Sequence, residues 1–176
     1  MKKRIVCALI CLAAILPAAG CKNKKDKTKV YEIDFARFAN VGTMPESELR
    51  LGDDLPEFDP QDEQSKYFSM DDADPPFIGT ADGNFSYYYE KGENPKITAI
   101  MAYDTCFGFE NDTVSIVITD ALDSQNVKYT ERKPREDETL FMPKEPNVSL
   151  IECKSFKHRL IFIIKDNALC AAYIGD

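Results

Sequence analysis

The sequence predicts a mainly β, or α+β, protein: a single domain built on an antiparallel sheet or meander in residues 85–175, preceded by an acidic, loop-rich segment. Three observations lead there. From Phe85 onward, short runs of β-branched and aromatic residues alternate with turn residues. Before Phe85, prolines and carboxylates crowd together with neither helical nor strand periodicity. No repeat period is evident, which disfavours a solenoid or propeller.

The first element is Met1-Lys2-Lys3-Arg4 followed by an apolar run from Ile5 to Ala19, interrupted at Pro17. Cations followed by a short apolar core are the layout of a secretion signal, and the run is shorter than the roughly 20 residues of a spanning helix. Leu16-Pro17-Ala18-Ala19-Gly20-Cys21 resembles the lipobox of bacterial lipoprotein precursors, with Ala18 where a leucine is commonest. The resemblance covers residues 1–21. It implies that the Gly20–Cys21 bond is cut and that Cys21 carries the acyl chains, palmitate among them, that anchor the mature protein in the cell envelope. Each buried methylene contributes about 0.8 kcal/mol and one chain alone holds only reversibly, so two or three are needed for a firm anchor. Lys22 stands where an aspartate would signal inner-membrane retention, so the expected place is the outer membrane facing the periplasm in a Gram-negative cell. In a Gram-positive cell it is the outer face of the cytoplasmic membrane.

Residues 21–30 follow as a lipidated cysteine and basic tether, Lys22 to Lys29 having no apolar side chain to bury. Its lysines can also lie on anionic lipid head groups. Without residues 1–20 the chain has 19 Lys and Arg against 30 Asp and Glu, a formal charge of −11. That balance argues against nucleic acid as a partner, since phosphate binding needs concentrated positive charge.

Residues 31–79 are the acidic, loop-rich segment. Val30, Ile33, Phe35 and Phe38 fit either a strand or an amphipathic turn, while Thr43, Pro45 and Glu46 suggest one short helix starting there. Residues 50–79 read as loop draped over the domain or as partly disordered. The acidity is concentrated here: residues 32–94 hold sixteen acidic and four basic side chains, residues 95–176 thirteen and ten. Asp53, Asp54, Asp71, Asp72 and Asp74 are therefore the candidate contact region for a basic partner.

Residues 80–176 are the expected β domain. Phe85–Glu90 and Lys96–Tyr103 form a hairpin around Lys91–Pro95. Further strands are expected at 113–119, 127–132, 139–142, 148–153, 159–165 and 168–174, with Asp166-Asn167 as a two-residue turn. Tyr87-Tyr88-Tyr89 puts aromatic rings on both faces of its strand.

Three cysteines follow the lipobox: Cys106, Cys153 and Cys170. In an oxidising compartment an odd set gives one disulfide and one thiol. With tight turns at Lys157-His158 and Asp166-Asn167, Cys153 lies beside Phe162 and Cys170 beside Ile163. They then stand about 9.6 Å apart on opposite faces, beyond the roughly 7 Å a disulfide spans. A bond from Cys106 to one of the others is the expectation.

His158, the single histidine, reads as a solvated turn residue. No catalytic residue, cofactor or metal is expected. The nucleophile-elbow, zinc-protease, phosphate-loop and dinucleotide motifs are missing, the cysteines lack knuckle spacing, and Asp71, Asp72 and Asp74 lack a calcium-loop pattern. Function is expected to be that of a non-catalytic protein-binding module, an inhibitor or immunity-type binder of a basic protein. The alternatives are an assembly accessory of the envelope and, behind it, a carboxylate-dependent hydrolase.

Overall fold

The protein is described by a computed structural model at residues 32–59, 62, 64–103 and 115–176. The protein is mainly β. Its elements in order are helix α1 (Phe35–Val41), strands β1 (Tyr67–Met70), β2 (Phe77–Thr80), β3 (Phe85–Tyr89) and β4 (Ile97–Tyr103), helix α2 (Ser115–Ser124), strand β5 (Tyr129–Arg132), a 3-10 turn (Thr139–Phe141), and strands β6 (Val148–Cys153), β7 (Arg159–Lys165) and β8 (Ala168–Gly175).

The strands make one eight-stranded sheet in the order β1-β2-β3-β4-β8-β7-β6-β5, antiparallel throughout. It is two four-stranded meanders joined where β4 pairs with β8. Short loops link the strands of the first meander and β6 to β7 to β8, residues 133–147 with the 3-10 turn join β5 to β6, and the connection from β4 crosses to β5 on the far edge. At the β7–β8 hairpin Asp166 and Asn167 have φ of 50° and 69°, the left-handed pair that a two-residue turn requires.

Both faces of the sheet are buried. Phe85, Tyr87, Ile100, Ile151, Phe162, Ile164, Ala172 and Ile174 point to one side, under α1 and α2. Asp34 caps α1 by accepting from the Arg37 N–H at 2.9 Å, and Gly42 closes it at φ 78°. The helix then buries Phe35 and Ala39, one turn apart, with the Phe35 ring edge-on to Phe162 at 5.2 Å. Gln125 clamps the entry to α1, donating to the Ile33 carbonyl at 2.7 Å and accepting from the Phe35 N–H at 3.3 Å. The other side holds Tyr88, Met101, Leu150, Ile161, Ile163 and Tyr173. There Phe141, from the 3-10 turn, packs on Tyr173 at 5.0 Å.

Several expectations from sequence change. Residues 50–79 are not all loop: β1 and all of β2 but Thr80 lie inside them and extend the sheet, with only four residues each and acidic, proline-containing flanks that hide the pattern. The short helix is α1, ahead of Thr43 rather than after it. Glu46 has φ 62°, which breaks a helix, and Thr43 and Ser47 spend their hydroxyls on the Leu49 carbonyl at 3.1 and 2.7 Å. The expected strand at 113–119 gives way, from Ser115, to α2, which buries Ile118, Ala121 and Leu122 at helical spacing. Residues 139–142 turn rather than extend, with Met142 at φ 54°.

Candidate functional site

The sheet topology brings separate acidic stretches of the first meander to one end. The β1–β2 loop carries Asp71, Asp72 and Asp74, all exposed, and the β3–β4 loop carries exposed Glu90 and Glu93. Asp53 and Asp54 join the same end because their backbone runs along the start of β4. The Gly52 N–H donates to the Ile97 carbonyl at 2.8 Å, the Ile97 N–H to the Asp53 carbonyl at 3.0 Å, and Asp54 bridges to Lys96. Ile97 pairs with Tyr89, whose hydroxyl donates to Asp71, so the two groups of aspartates are linked through one strand end.

Local hydrogen bonds hold some of these carboxylates. Asp53 accepts from the Arg50 N–H at 2.8 Å. Asp71 accepts from the Ser69 and Tyr89 hydroxyls, the first of which does most to hold it below the usual carboxylate range. Lys96 pairs with Asp54 at 2.5 Å, with both side chains at least half exposed. Asp72 and Asp74 are simply exposed.

The opposite end of the same strands holds a cavity of about 300 Å³. Its lining comes from three places: Glu46 and Glu48 before the sheet, Lys66 and Tyr67 at the start of β1, and Thr80 to Tyr87 around the β2–β3 turn. Glu48 accepts from the Tyr67 hydroxyl at 3.0 Å and lies 3.6 Å from the Lys66 ammonium. Burial, reinforced by that bond to Glu48, pushes the Tyr67 phenol up to about 12. Asp82 accepts from the Thr80 hydroxyl at 2.6 Å and from the Asn84 side chain and N–H at 2.7 and 3.0 Å. Burial opposes its ionisation, yet these donors outweigh it and its pKa is lowered. No short motif could have shown this, because the lining comes together only through strand pairing.

In the second meander the charges face one another. Arg132 reaches Glu138 with two nitrogens at 2.6 and 2.7 Å and Glu152 with its Nε at 2.7 Å, and Arg159 closes the group at 3.2 Å to Glu138 and 3.4 Å to Glu152. Arg132, more than any other neighbour, holds the Glu138 carboxyl down to about 2. This group clamps the 3-10 turn over the second face of the sheet.

The β6–β7 connection is a five-residue loop, not a tight turn at Lys157-His158, so Ile151 rather than Cys153 faces Phe162. Ser155 is left-handed at φ 70°, and the Lys157 N–H donates to Asn40 at 3.0 Å. His158 is not a solvated turn residue: its side chain is 11% exposed, with Nδ1 2.6 Å from Asp176. Cys170 is the extra residue of a bulge in β8, between Leu169 opposite Ile164 and Ala171 opposite Ile163. Cys153 and Cys170 are not bonded to each other, and burial pushes the Cys153 thiol up to about 12, far from a nucleophilic thiolate. Cys106, Gly20, Cys21 and the tether lie outside the described residues. Among the described residues no group of three or more His, Cys, Asp and Glu is placed to hold a metal, and no helix is long and apolar enough to cross a membrane. Comparison with protein-family models, curated proteins and solved structures gives no match.

Proposed function

We propose that the mature chain is a lipoprotein of the cell envelope, anchored through acyl chains on Cys21, whose β domain is a non-catalytic module that binds a basic protein. An inhibitor or immunity-type role fits this reading. The observation that carries it is the gathering of Asp53, Asp54, Asp71, Asp72 and Asp74, from stretches far apart in sequence, at one end of the first meander. Like charges gathered at one end repel one another, and local hydrogen bonds at Asp53 and Asp71 and the exposed Lys96 at Asp54 offset that only in part, whereas a cationic surface relieves the repulsion and is steered toward it.

The test uses the mature chain in nonionic detergent as bait for envelope extract, washed first at low and then at high salt. Capture of a cationic protein that salt releases is the expected result, because screening shortens to about 3 Å at 1 M salt. Changing all five aspartates to Asn should abolish that capture; unchanged capture removes the proposal. A Cys21→Ser chain should lose palmitate labelling and leave the membrane fraction.

A second reading, an assembly accessory, is favoured by the outer strand β1, where Phe68 and Met70 are 45% and 37% exposed on one face. Salt-resistant capture lost on changing Phe68→Ser would support it instead.

A further inference from the structure

Among its described residues the cavity at the other end of β1–β3 has a composition that selects one kind of ligand. Its charged lining is three carboxylates, Glu46, Glu48 and Asp82, against a single cation, Lys66. Its aromatic wall is Tyr67, Phe85 and Tyr87: the Phe85 and Tyr87 rings stack at 5.9 Å and Tyr67 meets Tyr87 at 6.5 Å. Negative ring faces and carboxylates together attract a cation and repel an anion. A volume of about 300 Å³ is at the lower limit of small-molecule sites, which suits one side chain or short amine and not a nucleotide or large cofactor.

We propose that this cavity is a subsite for a guanidinium or alkylammonium group on a thin stem, carried by a polypeptide side chain or by a free amine. It deepens the reading above and rests on it, because a basic partner is what would present such a group. Glu48 is the residue that receives it. One oxygen is already committed to the Tyr67 hydroxyl, while the other faces the Lys66 ammonium at 3.6 Å. Lys66, with its side chain 77% exposed, is a weakly held internal cation at the place where the incoming one binds, and it competes rather than contributes. Asp82 acts differently. Its three donors fix it as a standing negative charge at the β2–β3 turn, and the apolar stem passes over Ala81 and Phe85.

The experiment titrates the ¹⁵N-labelled mature chain in detergent with acetyl-Gly-Gly-Arg-Gly-Gly-amide, with the same peptide carrying neutral citrulline, and with agmatine. Amide shifts confined to residues 46–48, 66–67 and 80–87 are expected with arginine, with citrulline at least about tenfold weaker. Glu48→Gln should weaken the arginine peptide about fivefold or more, while Lys66→Gln should strengthen it by a factor of about two to five. A merely structural role for Lys66 would not raise affinity. Equal binding of citrulline, weakening by Lys66→Gln, or no shifts in a folded protein would each overturn the proposal. Agmatine binding as tightly as the peptide assigns the site to free amines, and weaker agmatine binding assigns it to polypeptide side chains.

Polylysine capture is measured alongside, on the native chain and the five-aspartate variant. No arginine binding with capture still lost in that variant removes the subsite and leaves the binding reading standing; capture unaffected by the variant removes the binding reading itself.

Discussion

In β5–β7, four charged side chains close on one another: Arg132 and Arg159 share Glu138 and Glu152, and three of the four are less than one-fifth exposed. In β1–β4 the carboxylates outnumber the cations, stand mostly in loops, and take their hydrogen bonds from nearby hydroxyls and N–H groups and, at Asp54, from the half-exposed Lys96. Burial separates inner from outer strands: β7 and β3 each bury five consecutive residues, whereas the edge strands β1 and β5 bury none, so it is charge that distinguishes the two meanders. Charge satisfied inside the molecule supports the fold, and charge left facing water is available to something else. The second meander is thus the scaffold and the first the working surface.

The largest effect should come from emptying the scaffold. Phe162 is fully buried and meets Phe35 edge-on, so Phe162→Ala should cost about 3–5 kcal/mol in urea unfolding. Phe68→Ala, on the outer strand and 45% exposed, should cost less than about 1 kcal/mol. Equal costs would mean that inner and outer strands do not differ as described.

Next comes the ion network. Glu138→Gln leaves Arg132 with Glu152 alone in a poorly hydrated place and should destabilise by about 2–3 kcal/mol. A cycle with Arg132→Met should show strong coupling, because removing both partners leaves no uncompensated charge.

The same carboxylate sets the acid limit. Its pKa in the folded chain is about 2, below the unfolded value of 4.5, so the stability it contributes is fully present above pH 4.5. That stability is lost as pH falls from 4.5 toward 2. Glu152, also lowered, adds to the loss. Unfolding followed by tyrosine fluorescence should therefore steepen below pH 4.5, and the Glu138→Gln chain should show a flatter slope over that window. Parallel slopes would place the acid sensitivity elsewhere.

What the sequence made legible follows the same division. β6 and β7 have their expected bounds, and β3, β4 and β8 lie within a residue or so of theirs, because β-branched and aromatic runs between turn residues favour strands. Ser115-Ile116-Val117-Ile118 looks like a strand for the same reason, yet Ile118, Ala121 and Leu122 face the core one helical turn apart, so period and not composition decided it. Tyr67–Met70 was hidden because its strand partner Phe77–Thr80 and its flanking aspartates carry no local signature. The acidic residues could be named from composition. Their convergence could not, since it depends on Asp53 lying beside Ile97 and on Tyr89 reaching Asp71.

The smallest expected effect is the sharpest test of the working surface. Lys96 and Asp54 approach to 2.5 Å, but their side chains are 50% and 77% exposed, so water and salt compete for both charges. The turn does not depend on them. Backbone bonds from Gly52 to Ile97 and from Ile97 to Asp53, at 2.8 and 3.0 Å, already fix it. Asp54→Asn should therefore change stability by no more than about 0.5 kcal/mol, and relief of repulsion from neighbouring carboxylates can make the sign favourable. A loss above about 1 kcal/mol in urea unfolding would make Asp54 a structural acid like Glu138, already spent within the molecule and unavailable to a basic partner.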